Sequence, residues 1–417
     1  VKYMITIENI VNPAPVTPFV TQEVKLNYGG AVQKQRFMIE WANPIDGGPD
    51  RNGLYNILQY QNEGDDSRYD RTRKQFRDYH LDHFWNNQGT TADGTDDELK
   101  DPSVGNNINL KCMGCHATGY TQYLDGVTGE VLCDSVEDDG GEYDIDGDGT
   151  LNDINLGCES CHGPGSEHVA AATSGRYIIA PDYITPSREV MICGRCHDRL
   201  TGNAYLGSPN DTPLTVDGKF PMPGISRDDF LTNYLTVTGA KTSTFWADDI
   251  HAKSHHLQGP DFIKSAHYAN PYHLVTCSNC HDMHGGTGYD RALKADMHDP
   301  AQPLCMVCHE RFLGDTVEHT TEVLGVPHGN AVSTCVDCHM TKTAKTGSGT
   351  YGHLLEAPTG TSADVPNTYF ENDITSHLFA VPRKTNPAVS GVSPDKAMPI
   401  PYTKACGTCH DPSTLQY

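Results

Sequence analysis

The sequence predicts a fold low in regular secondary structure. Short helices and loops should wrap round something other than a side-chain core, with a small β-rich segment at the N-terminus. Three observations lead there. Only 37% of the 417 residues are hydrophobic, mean hydropathy is -0.52, and the chain carries 40 Gly and 26 Pro. A chain so poor in apolar material cannot fill large cores with side chains alone. Second, 14 of its 15 cysteines fall into seven C-x-x-C-H units. Third, it holds 21 histidines, seven of them in those units.

The units are Cys112-Cys115-His116, Cys158-Cys161-His162, Cys193-Cys196-His197 and Cys277-Cys280-His281, followed by Cys305-Cys308-His309, Cys335-Cys338-His339 and Cys406-Cys409-His410. They are called motifs 1 to 7 below. This is the spacing for covalent attachment of c-type haem. Two residues between the cysteines match the separation of the two vinyl-derived carbons of a porphyrin, and the following imidazole becomes the proximal iron ligand. A zinc knuckle or redox dithiol does not call for a histidine after every pair. The expected fold is therefore that of a multihaem cytochrome, with short helices and loops round a stacked haem array. Seven haems in 417 residues is one per about 60.

Fourteen histidines remain for seven distal positions. That excess predicts an electron carrier with two imidazoles per iron, which lowers the potential relative to Met ligation and closes the iron to substrates. Distal candidates are His80 and His83 in "DYHLDHFW", His168 in "GPGSEH", and His255, His256 and His267 in the histidine-rich stretch before motif 4. His284 follows motif 4 directly, and His319 and His328 precede motif 6. His377 stands in a histidine-poor tail. Histidines so close to an attachment site cannot reach the opposite face of their own porphyrin and are expected to ligate a neighbour. The adjacent pair His255 and His256 is not expected to bind with both members.

Three segments follow from this layout. Residues 1–75 read as a strand-rich arm or module, with strand-like runs "YMITIENI", "RFMIEW" and "LYNILQY". Residues 76–201 carry motifs 1 to 3, and residues 202–417 carry motifs 4 to 7. Between motifs 1 and 2, "EYDIDGDGTLND" sets Asp144, Asp146 and Asp148 at alternating positions before a Gly turn. Thr150 and Asn152 or Asp153 complete the oxygen-ligand spacing of an EF-hand-like calcium loop, although Asn155 stands where the bidentate Glu would be. One calcium ion is expected there, fixing the excursion between the first two haems. Cys133, the odd cysteine, is either a buried thiol or an intermolecular disulfide partner.

Charge and hydropathy exclude other classes. A balance of 30 basic against 54 acidic residues, net -24, argues against nucleic acid and anionic lipid as partners. No run approaches the roughly 18 apolar residues of a membrane span. C-type haem is attached outside the cytoplasmic membrane, so export by a signal peptide is expected. The opening "VKYMITIENI" is read as following its removal. The location is extracellular or cell-surface, with the periplasm as alternative.

The runs "CMGCHATGY", "CESCHGPGSEH", "ICGRCHDR" and "CVDCHM", with "DITSHLF" downstream, resemble the multihaem c-type cytochromes related to the tetrahaem cytochrome of ammonia oxidation. That group includes the pentahaem nitrite reductases and octahaem hydroxylamine oxidoreductases. The likeness runs from about residue 75 onward, with a weaker echo in "AVQKQRFMIEW". It implies that His168 and His377 are distal ligands, His168 to a haem other than that of motif 2. It leaves open an oxidoreductase of nitrite or hydroxylamine type with one open haem. The C-x-x-C-K catalytic site of nitrite reductases is absent, however, since every unit here ends in histidine. In haem density the chain also resembles extracellular cytochrome filaments of metal-reducing microbes. The implied partner is then the chain itself, as a homopolymer, with redox proteins or extracellular acceptors at its ends. The N-terminal arm is suited to reach a neighbour, where His80 or His83 would ligate a haem across the subunit boundary. A monomeric periplasmic shuttle is the remaining alternative.

Overall fold

The computed structural model describes residues 4–7, 20–29, 35–41, 51–61, 75–78, 81–86, 98–137, 140–141, 143–171, 175–198, 202–205, 208–210, 214–215, 217–233, 245–246, 251–310, 316–325, 327–328, 334–344, 350–351, 368–369 and 374–382. Motif 7 (Cys406, Cys409, His410) and His80 lie outside them. The chain divides into two compact units. One comprises residues 1–239 and 346–370, the other residues 240–345 and 371–417. The N-terminal strands thus share a unit with motifs 1 to 3, and motifs 4 to 6 belong to the other.

In the first unit, β1 (Met4–Ile7), β2 (Val20–Tyr28), β3 (Gln35–Trp41), β4 (Arg51–Gln61) and β5 (Gln75–Asp78) pair in sequence order as an antiparallel meander. The three strand-like runs of the sequence supply β1, β3 and β4. The alternation of side chains along β3 sends neighbours to opposite faces. Met38 packs into a core with Leu54, Ile108, Met113, Ala117, Tyr120 and Cys133, while Ile39 and Trp41 join Tyr55 and Phe84. Met113 lies between the two cysteines of motif 1, so one face of the sheet is seated directly on that motif.

Buried polar groups fix that seating. Glu130 is fully buried and accepts hydrogen bonds from Tyr55 Oη at 2.6 Å and Asn52 N–H at 2.7 Å. Asn109 Oδ1 accepts from Leu54 N–H at 2.8 Å, and Asn107 caps the turn Ile108–Lys111 that leads into motif 1. Gly53 is required at this contact, since a Cβ there would stand 2.8 Å from that of Asn107. Cys133 is fully buried in the same core, which pushes its thiol well above the ordinary range. The buried-thiol alternative is the one the fold adopts, and a disulfide to another chain has no access to it.

The second unit is built round Phe245, Ala252, Leu257 and Ala344, with Ile374 packed against them. Trp246 Nε1 donates to the Thr343 carbonyl at 2.9 Å, and the strands Lys342–Ala344 and Ile374–Thr375 pair antiparallel. This pairing delivers the segment that carries His377. Among the described residues the longest helix is Pro186–His197, at 12 residues, and no helix is long and apolar enough to cross a membrane.

Candidate haem-binding site

Each described motif sits on helical backbone at one or both cysteines. Cys158–His162 and Cys335–His339 are complete short helices, and Cys193 to His197 end the helix Pro186–His197. Motifs 1 and 4 use 3-10 turns at Met113–Cys115 and Cys277–Asn279, and motif 5 opens in Pro303–Met306. On a helix, residues three and four apart share a face, so both thiols and the imidazole are presented together. Two motifs carry a start signal that reading by cysteine alone overlooks. Thr276 and Thr334 each form a capping box with the residue before the second cysteine, Asn279 and Asp337. The return bonds to the Thr N–H groups measure 2.7 Å and 2.6 Å.

In the second unit three motif imidazoles each meet a second imidazole from elsewhere in the chain. His281 faces His377 with ring centroids 6.3 Å apart, His309 faces His267 at 5.8 Å, and His339 faces His319 at 6.1 Å. Two imidazoles bound by nitrogen at about 2 Å to one metal place their centroids roughly 6 Å apart. His267 Nδ1 is buried with no hydrogen-bond partner among the described residues, and burial lowers the pKa of the ring. That favours the neutral form, which is the ligating form.

Backbone carbonyls select the tautomer of the others. The Nδ1 of His162 donates to Ile179 at 2.6 Å, that of His281 to Arg291 at 3.0 Å, and that of His339 to Phe379 at 2.9 Å. A carbonyl only accepts, so Nδ1 carries the proton and Nε2 keeps its lone pair for a metal. Arg291 and Phe379 each hold φ at 58°, in the left-handed region. Non-glycine residues in that region cost free energy, and here the strained backbone presents the orienting carbonyl. His168 carries the same signature, with Nδ1 donating to Arg176 at 2.8 Å. Among the described residues it makes no ring contact with a motif histidine.

In the first unit, His116 is half-buried and its pKa falls to about 4, from desolvation first and then from the charge of Arg36. Tyr28 packs against it with centroids 5.0 Å apart and accepts a hydrogen bond from Arg36 at 3.1 Å. The motifs come together within each unit, since Cys115 lies beside Cys196 and Cys305 beside Cys335. Motifs 1 and 3, and likewise 5 and 6, are therefore neighbours.

Asp261 is a positioning residue that sequence reasoning missed. It is 1% exposed and burial raises its pKa to about 6. Its Oδ2 accepts from Ser376 Oγ at 2.7 Å and from the His377 N–H at 3.2 Å, while Oδ1 accepts from Ala252 N–H at 3.1 Å. Asp261→Ala would strip three donors, two of them buried, of their acceptor. At ~1–3 kcal/mol for each, a loss of at least ~3 kcal/mol is expected in denaturant unfolding.

Other candidates lie differently. His284 is 83% exposed in its side chain and turns to Asp282 at 3.2 Å. His255 and His256 bond each other, with their Nδ1 atoms 2.6 Å apart. His328 is half-buried, its backbone tied to Thr320, and His83 is half-buried on the one-turn helix Leu81–Phe84. Of the calcium candidates, Asp144, Asp146 and Asp148 gather carboxylate oxygens within 4.8 Å of one another. Thr150 N–H donates to Asp148 at 2.7 Å. Asn152 turns inward instead, its Oδ1 accepting from Ile145 N–H at 2.7 Å and its Nδ2 reaching Asp134. Asp153 accepts from Asn155 N–H at 3.3 Å.

Thiol pairs on helical turns beside imidazoles whose Nδ1 is held by a carbonyl, and imidazole pairs with centroids about 6 Å apart, form a donor set that fits haem. The outer cell wall cytochrome OcwA matches at a TM-score of 0.50 over 85% of this chain, with 19% identity. The chain shares the fold of a cytochrome. It spans 66% of the OcwA chain. No protein-family model matches the sequence, and no curated protein matches it.

Proposed function

We propose that this chain is an electron carrier holding seven c-type haems through its seven C-x-x-C-H units. The observation that carries the reading is the set of three opposed imidazole pairs, which is what irons with two histidine ligands require. When bound, each haem supplies an iron that gains and loses one electron. The chain's part is to attach, ligate and orient. His377 is the second ligand at motif 4, His267 at motif 5 and His319 at motif 6. Nε2 of the motif histidines ligates, while Nδ1 is held by carbonyls such as Ile179, Arg291 and Phe379. His168 ligates an iron other than that of motif 2. With both axial positions taken, small molecules cannot bind, which favours a conduit over an oxidoreductase of nitrite or hydroxylamine type. Ferric electron paramagnetic resonance tests this. Low-spin signals alone are expected, and a substantial high-spin signal responding to nitrite or hydroxylamine would sink it.

The working place is extracellular or at the cell surface, a reading supported by the fold likeness to an outer cell wall cytochrome. The chain acts there as the subunit of a homopolymer, passing electrons to redox proteins or extracellular acceptors. Negative-stain microscopy of the purified protein should show filaments. Small particles at every concentration and salt would refute the polymer and favour a periplasmic shuttle. The Asp144, Asp146 and Asp148 cluster holds one calcium ion. Metal analysis after dialysis without chelator should find about one calcium per chain, lost on treatment with chelator.

A further inference from the structure

The middle of motif 3 holds a buried cation that attachment does not require. Arg195 stands between Cys193 and Cys196 and is 5% exposed. Its Nη1 donates to the Pro221 carbonyl and its Nη2 to the Ser160 carbonyl, which lies between the two cysteines of motif 2. The guanidinium packs over the Phe220 ring, 5.2 Å from its centroid. Its Nε is buried with no hydrogen-bond partner among the described residues. Among the described residues no carboxylate forms an ion pair with it. The buried carboxylate of Asp198, a turn further on, has Arg227 as its compensating charge. Arg195 lies within electrostatic range of Cys115, Cys161, Cys193 and Cys196, thiols of motifs 1, 2 and 3.

An uncompensated buried charge is costly, and neutral residues fill such space at lower cost. Arginine keeps its charge even when buried, unlike lysine. Two neutral carbonyl acceptors hold the group in place and leave its charge undiminished. In a poorly solvated region that charge acts strongly on whatever changes charge nearby. Oxidation of a haem iron adds one positive charge, so a fixed cation beside it disfavours the oxidised form.

We propose that Arg195 sets reduction potential: it bolts motif 3 to motif 2, and its fixed charge raises the potentials of the haems at motifs 1 to 3. This rests on the haem-binding reading above. Electrons entering the chain then settle on that group in preference to where they would rest without the arginine.

The test uses the exported, haem-loaded protein with Arg195→Gln, which removes the charge but keeps an amide donor, and Arg195→Lys, which keeps a charge. Haem per chain is counted first, and a spectroelectrochemical titration of the haem absorbance follows. Arg195→Gln should move to lower potential a portion of the absorbance change no larger than three sevenths of the whole, the share of motifs 1 to 3. Arg195→Lys should titrate close to the wild type. An unshifted Arg195→Gln curve overturns the proposal, and so does a lysine variant shifted as far as the glutamine one. Under-loading of both variants assigns Arg195 to folding alone and also overturns it. A wild-type chain without haem would instead defeat the haem-binding reading itself, so the two failures are separable.

Discussion

Replacing His377 with alanine is expected to convert one haem of the seven from low-spin to high-spin while haem content stays unchanged. The reasoning starts from placement. Ser376 and His377 follow the strand Ile374–Thr375 and are drawn to Asp261 by two hydrogen bonds. His377 Nδ1 lies 3.2 Å from the Thr375 carbonyl, which leaves Nε2 for a metal. Its ring is tilted only 24° from that of His281 across the 6.3 Å gap. Alanine removes the second imidazole but touches neither Cys277 nor Cys280, so attachment survives and one axial position opens. Ferric electron paramagnetic resonance should gain a high-spin signal accounting for one haem per chain. His267→Ala and His319→Ala should each do the same, whereas His284→Ala, at an exposed ring bound to Asp282, should leave the spectrum as it was. A His377→Ala spectrum identical to wild type would show that the motif 4 iron has another ligand.

The double substitution Cys158→Ala with Cys161→Ala should yield a protein with one haem fewer, and a haem absorbance lower by one part in seven. The loss should also loosen its neighbourhood. Ser160, between these cysteines, gives its carbonyl to Arg195 and its hydroxyl to Thr118 at 3.1 Å. Glu159 accepts from Gly165 N–H at 2.7 Å and so opens the helix Ser166–Ala171 that bears His168. The thermal midpoint of the double variant should fall below that of the wild type, since anything bound only by the folded state stabilises it. Full haem content in this variant would refute attachment at motif 2.

The C-x-x-C-H units were legible because their spacing stands in the sequence itself, and the N-terminal strands because alternation of apolar residues shows in "RFMIEW". The imidazole pairs were not. His377 and His281 are far apart in sequence and meet only through the pairing of Lys342–Ala344 with Ile374–Thr375. Proximity along the chain pointed instead to His284, which faces Asp282 at the surface. Of the six residues the calcium spacing marked, the three aspartates converge, whereas Asn152 is committed to Ile145 and Asp134. Arg195 and Asp261 were hidden for a different reason. One occupies a variable position inside a motif and the other an ordinary helix, and only burial distinguishes them.

The central claim is that this polypeptide is a scaffold for covalent haem. The intact mass of the exported protein, measured under denaturing conditions, tests it most directly. The account predicts the polypeptide plus seven haems, with only Cys133 left to react with an alkylating agent after unfolding. A mass equal to the bare chain, with all 15 cysteines open to alkylation, would contradict it.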